Sequence, residues 1–314
     1  MPSYFTILSA TLPVFMIMGV GFLFHVRGWL SEETELGMMK LGLNLLIPCL
    51  ILSLIPGNPA LEKLSSAGWA IGLGFGLTVV GMSVALLVAY CFGMRQGGGL
   101  RTFLISSGIQ NYGFLPLPIL VELFPDNSGP AGLVFVHGVG VEMAMWTVGL
   151  AILTGKAGFR SVVNGPFIAV VVALTLNYTG LYEFIPGVLE TVMDMLGRCA
   201  IPMSILMIGA TMGSFFNRSI FHDAFRVSAV SVGVRLGLLA IVLLSMAKFA
   251  PISPDLSRLL VVQAAMPAAI FPIVLARLFG GQTQVAIQVV LATSAVSLVT
   301  APLVIAWGLA WVNP

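Results

Sequence analysis

The chain has 314 residues, of which 58% are hydrophobic and 8% are charged, with a net charge of +2 and a mean hydropathy of +1.05. A soluble domain carries about 25% charged residues, so this composition excludes an ordinary water-soluble protein. The small net charge, without a basic run, argues against a nucleic-acid partner. An α-helical protein of the lipid bilayer fits, and an outer-membrane barrel is excluded because its alternating polarity is missing.

Hydropathy predicts ten membrane-spanning helices joined by short loops. These spans cover residues 5–25, 36–56, 67–92, 102–124, 130–154, 162–182, 191–213, 226–249, 257–279 and 283–311. Of the 14 lysines and arginines, nine fall in or beside the loops after the odd-numbered spans and three in or beside the loops after the even-numbered ones. The positive-inside rule therefore predicts a multi-pass protein of the cell (inner) membrane with both termini on the extracytoplasmic side.

Two sequence matches at one offset of 154 residues indicate an internal repeat. IPCLIL (47–52) matches IPMSIL (201–206), and PILVELF (118–124) matches PIVLARLF (272–279). Each half, 1–156 and 157–314, would hold five spans. Because five is odd, the second half enters the membrane upside down, which is typical of secondary transporters.

Spans four and nine carry prolines at matching places, in GIQNYGFLPLPIL (108–120) and VQAAMPAAIFPIVLA (262–276). Proline removes a backbone donor and clashes with the preceding turn, so we expect both helices to be broken, with free carbonyls near the amides of Gln110, Asn111 and Gln263. Ordinary proline kinks are the alternative interpretation.

Four segments together resemble the auxin efflux carrier family over essentially the whole chain. They are LNLLIPCLIL (43–52), NYGFLPLP (111–118), QAAMPAAIFPIVLA (263–276) and ATSAVSLVTAPLV (292–304). The resemblance implies the fold of the bile acid sodium symporters, in which broken helices four and nine cross within a transport domain that slides against a scaffold domain. It also implies an organic-anion substrate and elevator-type alternating access.

Carried over residue by residue, the resemblance implies a substrate site near the crossing. Its motif positions are Asn111, Pro118, Gln263, Pro267 and Pro272, with Asn44 and Pro48 in the second helix, and the predicted substrate site also includes Tyr112 and Pro116. Pro116 departs from the family, which often has glycine there, and we expect it to stiffen the crossing. The resemblance also suggests a homodimer.

Ionisable residues within spans mark function or a charged partner. Glu142 in span five is a candidate for coupling to protons, and a permanent ion pair is its alternative. Arg235 in span eight suits an anionic substrate, and a pair with Glu142 is its alternative. Gln110, Thr293 and Ser294 are further candidates for a coupling site, whereas His137 is interpreted as a packing residue.

These features predict a secondary active transporter of an organic anion, either an auxin-like carboxylate or a small dicarboxylate such as malonate or malate. A sodium-coupled symporter of the bile acid type is the alternative, and coupling to protons or sodium stays open. An enzyme is disfavoured because no catalytic or metal-binding motif occurs, and we expect no cofactor and no metal site. A channel is disfavoured because inverted repeats with broken helices suit alternating access.

Overall fold

The computed structural model describes residues 4–94, 99–215 and 225–313. These residues form fifteen α-helices, and the β-structure among them is one isolated bridge. The helices are α1 Tyr4–Val26, α2 Glu32–Leu41, α3 Ile47–Leu54, α4 Leu64–Cys91, α5 Leu100–Gly108, α6 Pro116–Leu123, α7 Gly129–Ala144, α8 Leu150–Thr154, α9 Gly165–Thr179, α10 Gly187–Ser214, α11 Phe225–Val232, α12 Leu239–Phe249, α13 Pro254–Ala264, α14 Phe271–Leu278 and α15 Thr283–Val312.

Seven helical stretches of the described ranges are long and apolar enough to cross a membrane. They are Tyr4–Val26, Glu33–Leu54, Leu64–Cys91, Gly129–Thr154, Gly187–Ser214, Phe225–Phe249 and Thr283–Val312, and they match predicted spans one, two, three, five, seven, eight and ten. Three of them are continued through a π-helical turn, Gly42–Leu46, Met145–Gly149 or Gly233–Leu238. The prediction of a multi-pass helical membrane protein is confirmed.

The other three predicted spans have shorter helices. Span six contains α9, whose 15 residues reach about 22 Å and therefore less than the hydrocarbon thickness. Asn164 caps the start of α9 by accepting a hydrogen bond from the backbone N–H of Phe167, and Gly180 with φ of 71° ends it. Spans four and nine are each divided into two helices, as expected.

Glycines bring the long helices into backbone contact, which is how membrane helices pack closely. A Cβ at Gly74 of α4 would overlap the His137 carbonyl oxygen of α7, and one at Gly140 of α7 would overlap the Ile71 carbonyl oxygen of α4. The same close approach joins α1 to α10 at Gly21 and Gly209. The contact between α4 and α7 holds the backbone of His137 directly against α4.

Candidate functional site

The interruptions of spans four and nine meet each other. Residues 109–115 separate α5 from α6, and residues 265–270 separate α13 from α14; we call these two segments together the junction. The Asn111 N–H donates to the Pro267 carbonyl over 2.8 Å, and the Ala269 N–H donates to the Ile109 carbonyl over 2.9 Å. This antiparallel bridge pairs backbone groups that would otherwise be left unsatisfied within the hydrocarbon region.

The prolines act at the starts of the second half-helices. Pro116 is the first residue of α6 and Pro272 the second residue of α14, where a missing N–H costs no helical hydrogen bond. Their rings prevent α6 and α14 from continuing backwards, because a proline clashes with the carbonyl four residues earlier. The Tyr112 carbonyl, four residues before Pro116, accepts from the Gln263 side chain, so it is one of the carbonyls that a proline leaves without a helical donor. Pro267 lies in the junction itself, and Pro118 is half-buried in α6.

Gln263 organises the polar side chains of the junction. It is fully buried, and its Oε1 accepts a hydrogen bond from Gln110 Nε2 over 3.2 Å. Its own Nε2 donates to the Tyr112 carbonyl over 3.2 Å and lies 3.3 Å from His137 Nδ1. One amide at the end of α13 therefore connects span nine to both span four and span five.

His137 belongs to this site, although the sequence indicated a packing residue. The Gln263 amide nitrogen can only donate, so His137 Nδ1 accepts and the proton of the neutral ring is on Nε2. That Nε2 is buried without a hydrogen-bond partner, as are the hydroxyls of Ser106 and Ser107 on the last turn of α5. These three are the only such side-chain atoms in the described ranges, and all lie on helices that form the junction or pack beside it.

Asn111 and Thr293 complete the polar lining. The Asn111 side chain is buried, and its Oδ1 accepts from the Leu115 N–H over 3.3 Å. Thr293 Oγ1 accepts from the Ala268 N–H over 3.1 Å and donates to the Val289 carbonyl over 2.7 Å. Ser294 follows it and is also buried. The structure thus brings span ten to the junction through Thr293.

Glu142 connects to the junction through Tyr112. The Tyr112 hydroxyl donates to Glu142 Oε1 over 3.1 Å, while the Tyr112 carbonyl is held by Gln263. The other carboxylate oxygen of Glu142 accepts from Asn164 Nδ2 over 2.6 Å. Asn164 is also the cap of α9, so this carboxylate lies between the junction and span six.

Arg235 lies at the junction, but it does not pair with Glu142. It is 1% exposed, and its Nε donates to the Met266 carbonyl over 3.2 Å and one terminal nitrogen to the Gln263 carbonyl over 3.4 Å. The ion pairs in the described part of the chain are His25–Glu35, Asp194–Arg198 and Asp255–Arg258. The alternative of an Arg235–Glu142 pair is therefore wrong for this conformation, because the guanidinium donates its hydrogen bonds to backbone carbonyls instead.

Asn44 is not brought to the junction. It lies in the π-helical turn Gly42–Leu46, which packs against α9 and α10. Its side chain is exposed and donates to the Lys40 carbonyl one turn earlier, over 2.9 Å. The motif position is present in the sequence, but the hydrogen bonds of this conformation give it no part in the site.

Comparison with known proteins shows the family of the chain. The family model described as membrane transport protein matches residues 6–164 and 151–305. The chain belongs to this family, that of the auxin efflux carriers. It is also 26% identical over 286 residues to an uncharacterized transporter of Methanothermobacter thermautotrophicus, covering 85% of this chain and 87% of that protein. Family and relative indicate a membrane transporter and not an enzyme.

Sequence reasoning missed the unpartnered hydroxyls of Ser106 and Ser107, on the helix that leads into the junction, and the contact of His137 with Gln263. Serines are common packing residues of membrane helices. One signal was available for the serines: both directly precede the Gly108 at which α5 ends. His137 could not be placed, because its contact with Gln263 depends on how α7 is rotated against α4.

Proposed function

We propose that this protein is a secondary active transporter that carries an organic anion with a carboxylate group and binds it at the junction. The observation that carries this proposal is the pairing of two interrupted helices around buried amides. Half-helices that begin at such a place direct the positive ends of their dipoles towards an anion. Both α6 and α14 begin at the junction.

The unpartnered polar groups support an anion rather than a cation as substrate. Nε2 of the neutral His137 ring and the hydroxyls of Ser106 and Ser107 can all donate a hydrogen bond, and each is buried without a partner. Leaving a buried donor unsatisfied costs about 1–3 kcal/mol, so a ligand that accepts these hydrogen bonds recovers that cost. A carboxylate provides two acceptor oxygens for this purpose.

The helix boundaries support the inverted repeat on which alternating access depends. α5 and α13 start at Leu100 and Pro254, 154 residues apart, and α7 and α15 start at Gly129 and Thr283, also 154 apart. This is the offset at which the sequence repeats. We therefore propose two inverted halves, 1–156 and 157–314, and an elevator-type movement of the helices that carry the junction.

We propose protons as the coupling ion, with Glu142 as the carrier. Its carboxylate accepts hydrogen bonds from two neutral groups, Tyr112 and Asn164, and forms none of the ion pairs found among the described residues. An uncompensated carboxylate within a span favours protonation, because burying the charge is costly. Glu142 is hydrogen-bonded to Tyr112, and the Tyr112 carbonyl is bonded to Gln263. A change in the protonation of Glu142 would therefore change a contact of a junction residue.

The substrate site is tested by transport currents of purified protein on solid-supported membranes. The panel is indole-3-acetate, malonate, malate and a bile acid, each measured with the wild type, Asn111→Ala, Gln263→Ala and the control Thr191→Ala. Thr191 is exposed on α10 and bonds only to its own helix among the contacts given by the structure. We expect saturable currents for one class of anion that are about tenfold weaker in both junction variants, because each loses a buried hydrogen bond to substrate or to Gln110.

Currents that persist unchanged in both junction variants would contradict the assignment of the site. Equal losses in Thr191→Ala would show that the assay reports stability and not binding. Folded wild-type protein that gives currents with none of these anions would reject the proposed class of substrate.

A further inference from the structure

Arg235 interacts with the C-terminal end of a half-helix. The last carbonyls of a helix have no intrahelical partner and carry the negative end of its dipole. At the end of α13, the Ala265 N–H donates a hydrogen bond to the Val262 carbonyl, and the Met266 N–H donates to the Gln263 carbonyl. The guanidinium of Arg235 donates to the Gln263 and Met266 carbonyls. Its positive charge therefore offsets the partial negative charge at the C-terminal end of α13, where this end meets the junction.

This charge has no acidic partner among the described residues. None of their ion pairs includes Arg235, and the carboxylate of Glu142 is bonded to Tyr112 and Asn164. A fully buried arginine that faces only carbonyls is costly in a membrane, which marks it as functional. The π-helical turn Gly233–Leu238 contains it and places this segment against α5 as well.

The other half of the chain has no cation at the corresponding place. The residue 154 positions before Arg235 is Gly81 in α4, and a Cβ there would overlap the carbonyl oxygen of Gly108, the last residue of α5. At the end of α5 the helix backbones touch directly, whereas at the end of α13 a guanidinium fills the space. The C-terminal ends of α5 and α13 thus correspond in the repeat, but a guanidinium lies against the end of α13 and a glycine lies against the end of α5.

In sodium-coupled carriers with broken helices, free carbonyls and half-helix C-termini coordinate the coupling cation. The end of α13 does not fit such an ion, since Arg235 occupies the Gln263 and Met266 carbonyls and a second positive charge would be repelled. We propose that Arg235 is a built-in cation: a positioning residue that holds the junction segment 265–270 and takes the place of a sodium ion. This inference rests on the proposed transport function and predicts anion transport without sodium.

Thermal unfolding of the purified full chain tests this without knowledge of the substrate. For wild type we expect the same Tm when sodium chloride replaces choline chloride at constant ionic strength. Arg235→Ala should lower Tm by about 5 °C, because buried charge-assisted hydrogen bonds are lost. Millimolar guanidinium should raise the Tm of Arg235→Ala, and urea, which has a similar shape without charge, should not. Arg198→Ala, which removes an exposed arginine of α10, is the matched control and should respond to neither.

A saturable rise of the wild-type Tm with sodium would overturn the proposal, and so would recovery of Arg235→Ala by urea or its failure to recover in guanidinium. If Arg235→Ala does not fold, Arg235→Lys is compared with Arg235→Gln. The lysine variant should have the higher Tm because it keeps the charge, and the reverse order would overturn the proposal. Because no substrate is present, failure of the anion panel leaves this result unaffected.

Discussion

The polar side chains at and beside the junction are of two kinds. Some form hydrogen bonds to the backbone, and others have polar atoms without a hydrogen-bond partner that could bind a ligand. Arg235 and Thr293 bond to backbone groups of the interrupted span nine. His137 Nε2 and the hydroxyls of Ser106 and Ser107 have no partner among the described residues. Sequence alone placed Arg235 and Thr293 near the site but could not divide the roles, because the division depends on distances of a few tenths of an ångström.

Glu142 gives a prediction at this scale. Replacing it with glutamine keeps an oxygen that accepts from Asn164 Nδ2 and adds an amide nitrogen that can donate to the Tyr112 hydroxyl, but removes the exchangeable proton. We expect the currents of the wild type to vary with pH and those of Glu142→Gln to become independent of pH. Currents recorded over a pH series with the transported anion measure this.

Glu183→Gln is the matched control, because Glu183 is exposed in the short helix Leu181–Phe184. It should keep the pH dependence of the wild type. If Glu142→Gln keeps that dependence too, another group carries the proton.

At the scale of helices, the close contact between α4 and α7 positions His137. Two glycines of α4 differ sharply in their surroundings. A Cβ at Gly74 would overlap the His137 carbonyl oxygen and lie 3.1 Å from the Val141 nitrogen, whereas one at Gly76 would meet nothing within 4 Å. The helix therefore has one face that needs glycine and one that tolerates any small residue.

Gly74→Ala should accordingly lower the free energy of unfolding by about 1–3 kcal/mol, since backbone atoms must move apart to admit the methyl group. Gly76→Ala should be neutral or slightly stabilising, because alanine favours a helix more than glycine does. Thermal unfolding of both variants in detergent measures the difference. Equal effects of the two substitutions would contradict the packing of α4 against α7.

At the scale of the whole molecule, the sequence predicted what hydropathy and proline spacing determine. Apolar runs located the seven long spans, and the prolines of spans four and nine located the interruptions. The length of α9 was overestimated because apolar residues continue past the Gly180 that ends it. Asn44 lies away from the junction in this conformation, although the resemblance implied a place at the site, because a motif shows similarity of sequence and not the direction of a side chain.

The central claim is that the junction binds the transported anion and opens to each side of the membrane in turn. Ser107 is the most direct reporter, because it is fully buried in this conformation and its hydroxyl has no partner within the described residues. The measurement uses Ser107→Cys in a chain whose three native cysteines, Cys49, Cys91 and Cys199, are replaced by serine. A membrane-impermeant thiol reagent is applied to oriented vesicles from one side or the other. We predict slow labelling from both sides and protection by the transported anion; labelling from one side only, or at a rate that the anion does not change, would contradict the account.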